Sequence, residues 1–163
     1  MIVVADTSPL NYLLQIGCES VLPTLYKRII VPSAVLAELS DPDTPAIVSG
    51  WLLRLPSWIE VRGTSSPPDP TLVALDPGER EAIQVAQEQR AALLLIDERR
   101  GRMEAQRRGL ATTGTLGVLL AAGQRRLINV EAAYRQLLTA TNFRSTPELE
   151  SRFLRRVRGA DKG

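Results

Sequence analysis

Four acidic side chains stand where carboxylates could do chemistry. Asp6 and Asp97 each follow directly on an uninterrupted apolar run. Glu38 lies beside the apolar stripe of a predicted helix, and Glu79 lies in the first turn of another. Converging carboxylates repel one another unless a cation neutralises them, and hard cations such as Mg²⁺ and Mn²⁺ prefer oxygen ligands. The pattern predicts one or two divalent ions that activate a water molecule and stabilise phosphoryl oxygens.

Each of these acids also has an ordinary structural explanation. Asp6 and Asp97 could each cap the helix that follows. Residues 76–79 (DPGE) have the form of a capping box, in which Glu79 bonds back to the start of its own helix. Glu38 could be a partly exposed helix residue, as most glutamates are. The combination of all four acids is more specific than any one of them.

The composition excludes several other kinds of chemistry. The chain has no histidine, which removes histidine-based triads and histidine metal sites. Cys18 is the sole cysteine, so no internal disulfide can form, and we interpret it as a small buried apolar residue. The lysines are Lys27 and Lys162, and neither is placed to serve an aspartyl-phosphate enzyme or receiver domain. No phosphate-binding glycine loop is present.

Arginine accounts for nearly all of the basic residues, and the formal net charge is +2. The arginines form two clusters, which are Arg99, Arg100, Arg102, Arg107 and Arg108, and Arg152, Arg155, Arg156 and Arg158. Arginine pairs with phosphates through two parallel hydrogen bonds, which favours contacts with nucleic acid. Glu98 and Glu104 interleave with the first cluster, so a salt-bridged helix face explains it equally well.

Buried strands that alternate with helices must position the acids. Apolar runs predict strands at residues 2–5, 29–31, 58–62, 93–96 and 110–113. Helices are predicted at residues 7–16, 19–26, 33–39, 44–55, 76–90, 100–108, 115–123, 130–140 and 146–158, and a loop at 63–71. This order is typical of a three-layer α/β/α sandwich, in which ligands bind at the carboxyl ends of parallel strands.

The chain resembles the PIN (PilT N-terminus) domain, which VapC-type toxins share, from Ile2 to about Leu120. The motifs that carry the resemblance are DTSPL at 6–10, VPSAVLAE at 31–38, GEREAIQVA at 78–86 and LLID at 94–97. Gly101-Arg102 and the TGT run at 113–115 are similar to a largely uncharacterised subgroup of that family.

The resemblance implies a metal-dependent ribonuclease with a five-stranded parallel sheet in the order 3-2-1-4-5. It implies that the catalytic and metal-binding residues are Asp6, Glu38, Glu79 and Asp97, with Mg²⁺ or Mn²⁺ as the cofactor. Ser8 and Thr115 would hydrogen-bond this cluster. The implied contacts with RNA are Ser8, Arg99, Arg100, Arg102 and Thr115. One departure is Glu79, where many relatives have aspartate.

We expect a PIN-like nuclease domain at residues 1–125 and a helical extension at 126–163. The leading hypothesis is an endoribonuclease, and the alternative is a non-catalytic PIN-fold module that binds RNA or a protein. The resemblance also implies a toxin role with a cognate antitoxin protein, and a homodimer. The first residues lack the features of a signal peptide, and no apolar run approaches the ~20 residues that span a bilayer. We therefore expect a cytoplasmic protein with no membrane partner.

Overall fold

Five parallel strands form one sheet at the centre of the molecule. The computed structural model describes the fold of residues 1–161 and the side chains of residues 1–159, so the end of the predicted extension at 126–163 lies outside the described residues. The strands are β1 (Val3–Ala5), β2 (Ile29–Pro32), β3 (Ile59–Arg62), β4 (Leu93–Leu95) and β5 (Thr112–Thr113). Their order is β3-β2-β1-β4-β5, which confirms the prediction and places β1 beside β4.

Helices connect the strands and continue beyond the last one. In the described part of the chain they are α1 (Thr7–Gln15), α2 (Val21–Tyr26), α3 (Ser33–Leu39), α4 (Ala46–Leu52), α5 (Pro77–Glu88), α6 (Arg99–Arg107), α7 (Thr115–Gln124), α8 (Val130–Ala140) and α9 (Pro147–Asp161). The helix predicted at 44–55 is shorter than expected. The loop predicted at 63–71 runs into a 3-10 turn at Pro70–Leu72, because the Asp69 side chain accepts a hydrogen bond from the Thr71 N–H.

Successive strand residues point to opposite sides of the sheet and enter two separate cores. Val3 and Ala5 pack with the apolar faces of α1 to α4 and of α7 to α9. Val4 and Leu94 pack on the other side, with α5 and α6. A strand covered on both faces must be apolar at every position, which explains the uninterrupted apolar runs. The result is the predicted three-layer α/β/α sandwich.

The last two helices pack on α7 and extend the first of these cores. Phe153 and Val157 of α9 are 3% and 4% exposed, and they belong to the same cluster as Val3. The Tyr134 and Phe153 rings, whose centroids are 4.8 Å apart, join α8 to α9. The division of the chain at residue 125 stays a prediction. Within residues 1–161, no helix is both long enough and apolar enough to cross a membrane.

Candidate active site at the carboxyl edge of the sheet

The pairing of β1 with β4 brings the two strand-end aspartates to one edge of the sheet. Ala5 pairs with Leu95, and the Asp6 N–H donates to the Leu95 carbonyl at 2.8 Å. Parallel strands end at the same edge, so the chain leaves β1 at Asp6 and β4 shortly before Asp97 on the same side. Helices α1, α3 and α7 begin directly after their strands, and their positive N-termini face this edge.

Asp6 carries a buried carboxylate whose charge is poorly compensated. Its side chain is 4% exposed, and Oδ1 has no hydrogen-bond partner among the described residues. Burial is the main reason why its pKa is raised to about 7; the hydrogen bond from the Thr7 N–H opposes the rise, and the charges of Glu38, Asp97 and Asp76 contribute to it. The side chain does not cap α1. The helix-cap explanation of Asp6 is therefore wrong.

Glu79 lies in the same electrostatic environment. It is 7% exposed, and burial, followed by the charges of Asp6, Asp76, Glu98 and Glu38, raises its pKa to about 7. The predicted capping box is wrong, since Asp76 stands at the N-cap position of α5 but its side chain makes no capping bond. Asp76 is instead an acid of this edge that sequence reasoning missed. Its place one turn before Glu79 was the available signal.

Helices α3 and α5 cap each other, which is why the local capping box is not needed. Glu38 of α3 accepts a hydrogen bond from the Gly78 N–H at 2.8 Å and another from Thr7 Oγ1 at 2.5 Å. In return, Glu81 of α5 accepts from the Ala34 N–H at 3.2 Å. Each helix thus satisfies an unpaired N–H at the start of the other. Sequence reasoning missed this role of Glu81, because its partner is 47 positions away.

Asp97 is held at the start of α7. Its Oδ1 accepts from the Thr115 N–H at 2.7 Å, and its Oδ2 accepts from Thr115 Oγ1 at 2.7 Å. Burial raises the Asp97 pKa; the Thr115 hydrogen bonds and the charge of Arg102 lower it, and Glu98 raises it. The predicted cap on α6 is wrong, because Glu98 occupies that position. Thr115 therefore orients Asp97, as the resemblance implied for a residue that bonds the cluster.

Two glycines make room for these carboxylates. A Cβ at Gly78 would lie 2.6 Å from Oε1 of Glu38, and a Cβ at Gly114 would lie 2.6 Å from Oδ1 of Asp97. Both distances are shorter than a carbon and an oxygen tolerate, so a larger residue would displace the acid. The two close approaches depend on glycine.

The arginines of the first cluster lie in two different environments. Arg99 and Arg102 line a groove next to Asp97, together with Ser8, whereas Arg100 is exposed and lies outside that lining. Arg107 and Arg108 form ion pairs with Glu104 at 2.6 and 2.8 Å. Each of the two interpretations of the cluster therefore fits a different part of it. The predicted contacts of all these arginines with RNA stay predictions.

The residues of this edge fit a divalent cation by their chemistry. They are oxygen donors, and Oδ1 of Asp6 is buried without a partner. In the described part of the chain, however, no group of three or more acidic side chains stands ready to hold an ion. Mg²⁺ usually takes one or two carboxylates and keeps several waters, so such a group is not required. Both oxygens of Glu38 and both of Asp97 already accept hydrogen bonds.

The comparisons with known proteins agree with this fold. A family model described as a PIN domain matches residues 2–159, and the chain therefore belongs to the PIN-domain family. The structure is similar to that of a PilT N-terminus domain protein from the hyperthermophilic archaeon Sulfolobus solfataricus P2. The TM-score is 0.52 at 17% identity, with 89% of this chain and 100% of that chain covered, which shows a shared fold. No curated protein sequence matches the chain.

Membership in this family carries a general function. PIN domains are commonly nucleases and typically use divalent metal ions. The four acids that sequence reasoning selected lie at or beside the edge described above, where the charges of Glu38 and Asp97 act on Asp6, and those of Asp6 and Glu38 act on Glu79. Their assignment as metal ligands stays a prediction.

Proposed function

We propose that the protein is an endoribonuclease that hydrolyses phosphodiester bonds with Mg²⁺ or Mn²⁺ bound at the carboxyl edge of the sheet. The Asp6 carboxylate carries the proposal, because it is buried, unpartnered at Oδ1 and surrounded by the charges of Glu38, Asp97 and Asp76. Burying a charged carboxylate among like charges is unfavourable without a counter-ion. A divalent cation would remove that cost, which supports a binding site for one at this edge.

Asp6 and Glu79 are the best candidates to hold the ion, and Asp6 would bind through its unpartnered Oδ1. Asp97 and Glu38 are better suited to positioning, since both oxygens of each already accept hydrogen bonds, from Thr115 and from Gly78 and Thr7. When bound, the ion would polarise phosphoryl oxygens and make a neighbouring water more acidic.

The protein's own groups would supply orientation and proton transfer. Glu79 lies buried beside Asp6, and a bound cation would favour its charged form, in which it could orient the attacking water or accept a proton from it. Thr115 keeps the Asp97 carboxylate in one orientation through two hydrogen bonds. Arg99 and Arg102, beside Asp97, would attract the phosphates of the substrate.

The choice of RNA as substrate rests on the resemblance of the sequence motifs to VapC-type ribonucleases. The toxin role, the cognate antitoxin and the homodimer rest on the same resemblance and stay predictions. The arginine-rich lining beside Asp97 supports a polyanionic substrate.

A second candidate is a PIN-fold module that binds RNA or a protein without cleaving it. It is favoured by the absence of a ready group of three ligands among the described residues, and by the hydrogen bonds that already engage Glu38 and Asp97. Such a module would bind its partner equally well with and without a divalent ion.

A cleavage assay on a labelled RNA oligonucleotide tests the proposal. We expect cleavage with Mn²⁺, and loss of about 100-fold or more in rate with EDTA or in Asp6→Asn. Asp69→Asn is the matched control, because Asp69 is an acid paired with Arg108 away from this edge, and its variant should keep the wild-type rate. Cleavage that survives both EDTA and Asp6→Asn would exclude the mechanism. RNA binding without any cleavage by the wild type would favour the second candidate.

A further inference from the structure

A groove of about 580 Å³ opens beside the candidate active site. One part of its lining comes from the region around Asp97, including the start of α6 and residues 112–114. Another part comes from far along the chain, namely residues 143–144 and the first turns of α9. The region that sequence reasoning treated as an extension therefore reaches the immediate surroundings of Asp97.

Arginine dominates the charge of this groove. The arginines that line it are Arg99, Arg102, Arg144, Arg152 and Arg156, and the acids that line it are Asp97 and Glu98. Within the described side chains, none of these five arginines forms an ion pair, in contrast to Arg107 and Arg108 at the end of α6. The groove therefore has a surplus of uncompensated positive charge next to Asp97.

Two aromatic rings belong to the same lining. Tyr12 of α1 and Phe143 meet edge to face, with centroids 5.3 Å apart and planes at 84°. Both side chains are only partly buried. Proteins that bind single strands combine a basic groove, which follows the phosphates, with aromatic rings on which bases stack. In a duplex the base faces are covered by their neighbours, so such rings would find no partner.

We propose that residues 143–156 form a wall of the substrate groove and bind a single-stranded polynucleotide. Arg144, Arg152 and Arg156 contact its phosphates, and Tyr12 and Phe143 lie against its bases. The inference rests on the proposed function for the reacting end of the groove, but the binding itself needs no metal. An acidic peptide would also meet the arginines, yet it offers no planar rings to the aromatic side chains.

Binding of a fluorescent oligonucleotide of about 12 nucleotides tests this inference. The full chain is titrated in EDTA, so that binding is measured without cleavage, and fluorescence anisotropy gives Kd at several salt concentrations. The test variant is Arg152→Gln/Arg156→Gln, and the control is Arg155→Gln/Arg158→Gln. Both remove two charges from exposed positions of α9, but Arg155 and Arg158 lie outside the groove.

We expect the test variant to bind about tenfold more weakly than the wild type, and the control to bind within about twofold. Loss of two phosphate contacts on a single strand should also lower the slope of log K against log salt by about 1.4. Equal weakening of both variants would overturn the inference, because net charge alone would explain it. Thermal unfolding of each variant verifies that the fold is intact.

Competition experiments identify which kind of polyanion binds in the groove. We expect a duplex of the same length and a poly-glutamate peptide to compete at least about tenfold more weakly than the single strand; equal competition by either would overturn the inference. RNA and DNA single strands are measured in parallel, and the difference between test variant and control is expected with both. The polymer bound more tightly identifies the natural substrate class.

The two proposals fail in different ways. If the nuclease proposal is wrong, the wild type does not cleave with Mn²⁺, but the difference in binding between test variant and control persists. If the groove inference is wrong, the wild type cleaves, and Arg152→Gln/Arg156→Gln cleaves with unchanged KM and binds with unchanged Kd.

Discussion

In two regions of the molecule, the pKa values of acidic side chains are shifted in opposite directions. At the carboxyl edge of the sheet, burial and then neighbouring negative charges raise the pKa of Asp6 and of Glu79 to about 7. Four more acids lie at or close to the same edge, and their charges are the source of that repulsion: Glu38, Asp76, Asp97 and Glu98. This edge holds more negative charge than its own residues compensate.

The second region lies where α6 meets the loop before α5. Hydrogen bonds from Thr71 and Arg108 lower the pKa of Asp69 to about 2. Hydrogen bonds from Arg107 and Arg108 do the same for Glu104. Arg108 bridges both acids, at 2.8 Å from Asp69 and 2.8 Å from Glu104, with only 14% of its side chain exposed.

The difference separates acids that have a counter-charge bonded to them from acids whose pKa is raised by burial and like charge. In the second region each carboxylate has its counter-charge within the chain, so it fastens a loop to a helix. Among the described residues, none of the acids of the edge forms an ion pair with an arginine, and the burial of Asp6 and Glu79 is unfavourable while they are charged and without a cation. Buried carboxylates whose pKa is raised by desolvation and like charge favour a functional site, whereas ion pairs within the fold lower the pKa.

The largest effect is expected from disturbing the edge without removing an acid. In Gly114→Ala the new Cβ would overlap Oδ1 of Asp97, so the carboxylate must move. A displacement of about 1 Å costs about 100-fold in rate, and we expect a loss of that order in the RNA cleavage assay. Gly50→Ala is the control, because nothing lies within 4 Å of its Cβ in helix α4, and its rate should be unchanged. Equal rates in both variants would show that Asp97 is not needed in its present position.

A divalent ion should stabilise the protein through the edge. At an Mn²⁺ concentration about 100 times Kd, binding adds about 2.7 kcal/mol to the free energy of unfolding. For a chain of this size we expect Tm to rise by about 5–10 °C in differential scanning calorimetry, and EDTA to reverse the rise. Asp69→Asn should keep this shift and Asp6→Asn should lose it. A shift of the same size in Asp6→Asn would place the ion elsewhere.

The two regions should respond to pH in opposite directions. A raised pKa means that folding stabilises the protonated carboxyl, so the contribution of Asp6 is complete below about pH 4 and is lost as pH rises through about 7. The lowered pKa of Asp69 contributes stability above about pH 4, which is lost as pH falls toward 2. Urea unfolding in EDTA should therefore show stability falling between about pH 4 and pH 7. In Asp6→Asn that fall should be smaller, and an unchanged fall would assign it to other groups.

The smallest effect is expected in the second region. Arg108→Gln removes the shared partner of Asp69 and Glu104, and we expect the free energy of unfolding to fall by about 1 kcal/mol. The cleavage rate should stay at the wild-type value, because Arg108 does not line the groove beside Asp97. A loss of rate without a loss of stability would mean that the two regions are coupled. Arg107→Gln, at a more exposed position, should cost less stability.

The strands, and the position of Asp6 and Asp97 at one edge of the sheet, could be predicted from the sequence because they depend on strong, regular signals. Asp6 and Asp97 each follow an uninterrupted apolar run, which indicates a strand buried on both faces. Neighbouring parallel strands end at the same edge of a sheet, so the two aspartates were expected to lie there together. The family motifs then supplied the order of the strands. The helix bounds were close for the same reason, since apolar periodicity extends over several turns.

The details of the edge could not be read in the same way, because their partners are distant in the chain. The DPGE run at 76–79 fits a capping box, but a local pattern cannot show that Glu38 already occupies the start of α5. The exchange between Glu81 and Ala34 has no local signature at all. Likewise, the spacing of the arginines could not separate Arg108, which bonds Asp69, from Arg102, which faces the groove.

The mutual capping of α3 and α5 bears on how mutants at position 38 must be interpreted. Glu38→Ala would remove a negative charge and also free the Gly78 N–H and the Thr7 hydroxyl, so lost activity could reflect two helices drifting apart. Glu38→Gln removes the charge but keeps an amide oxygen that can still accept the Gly78 N–H, and its NH2 can donate to the Thr7 hydroxyl, which rotates to accept. A loss of activity in both variants would show that the negative charge of Glu38 is needed. A loss only in the alanine variant would show that the contact between α3 and α5 is needed.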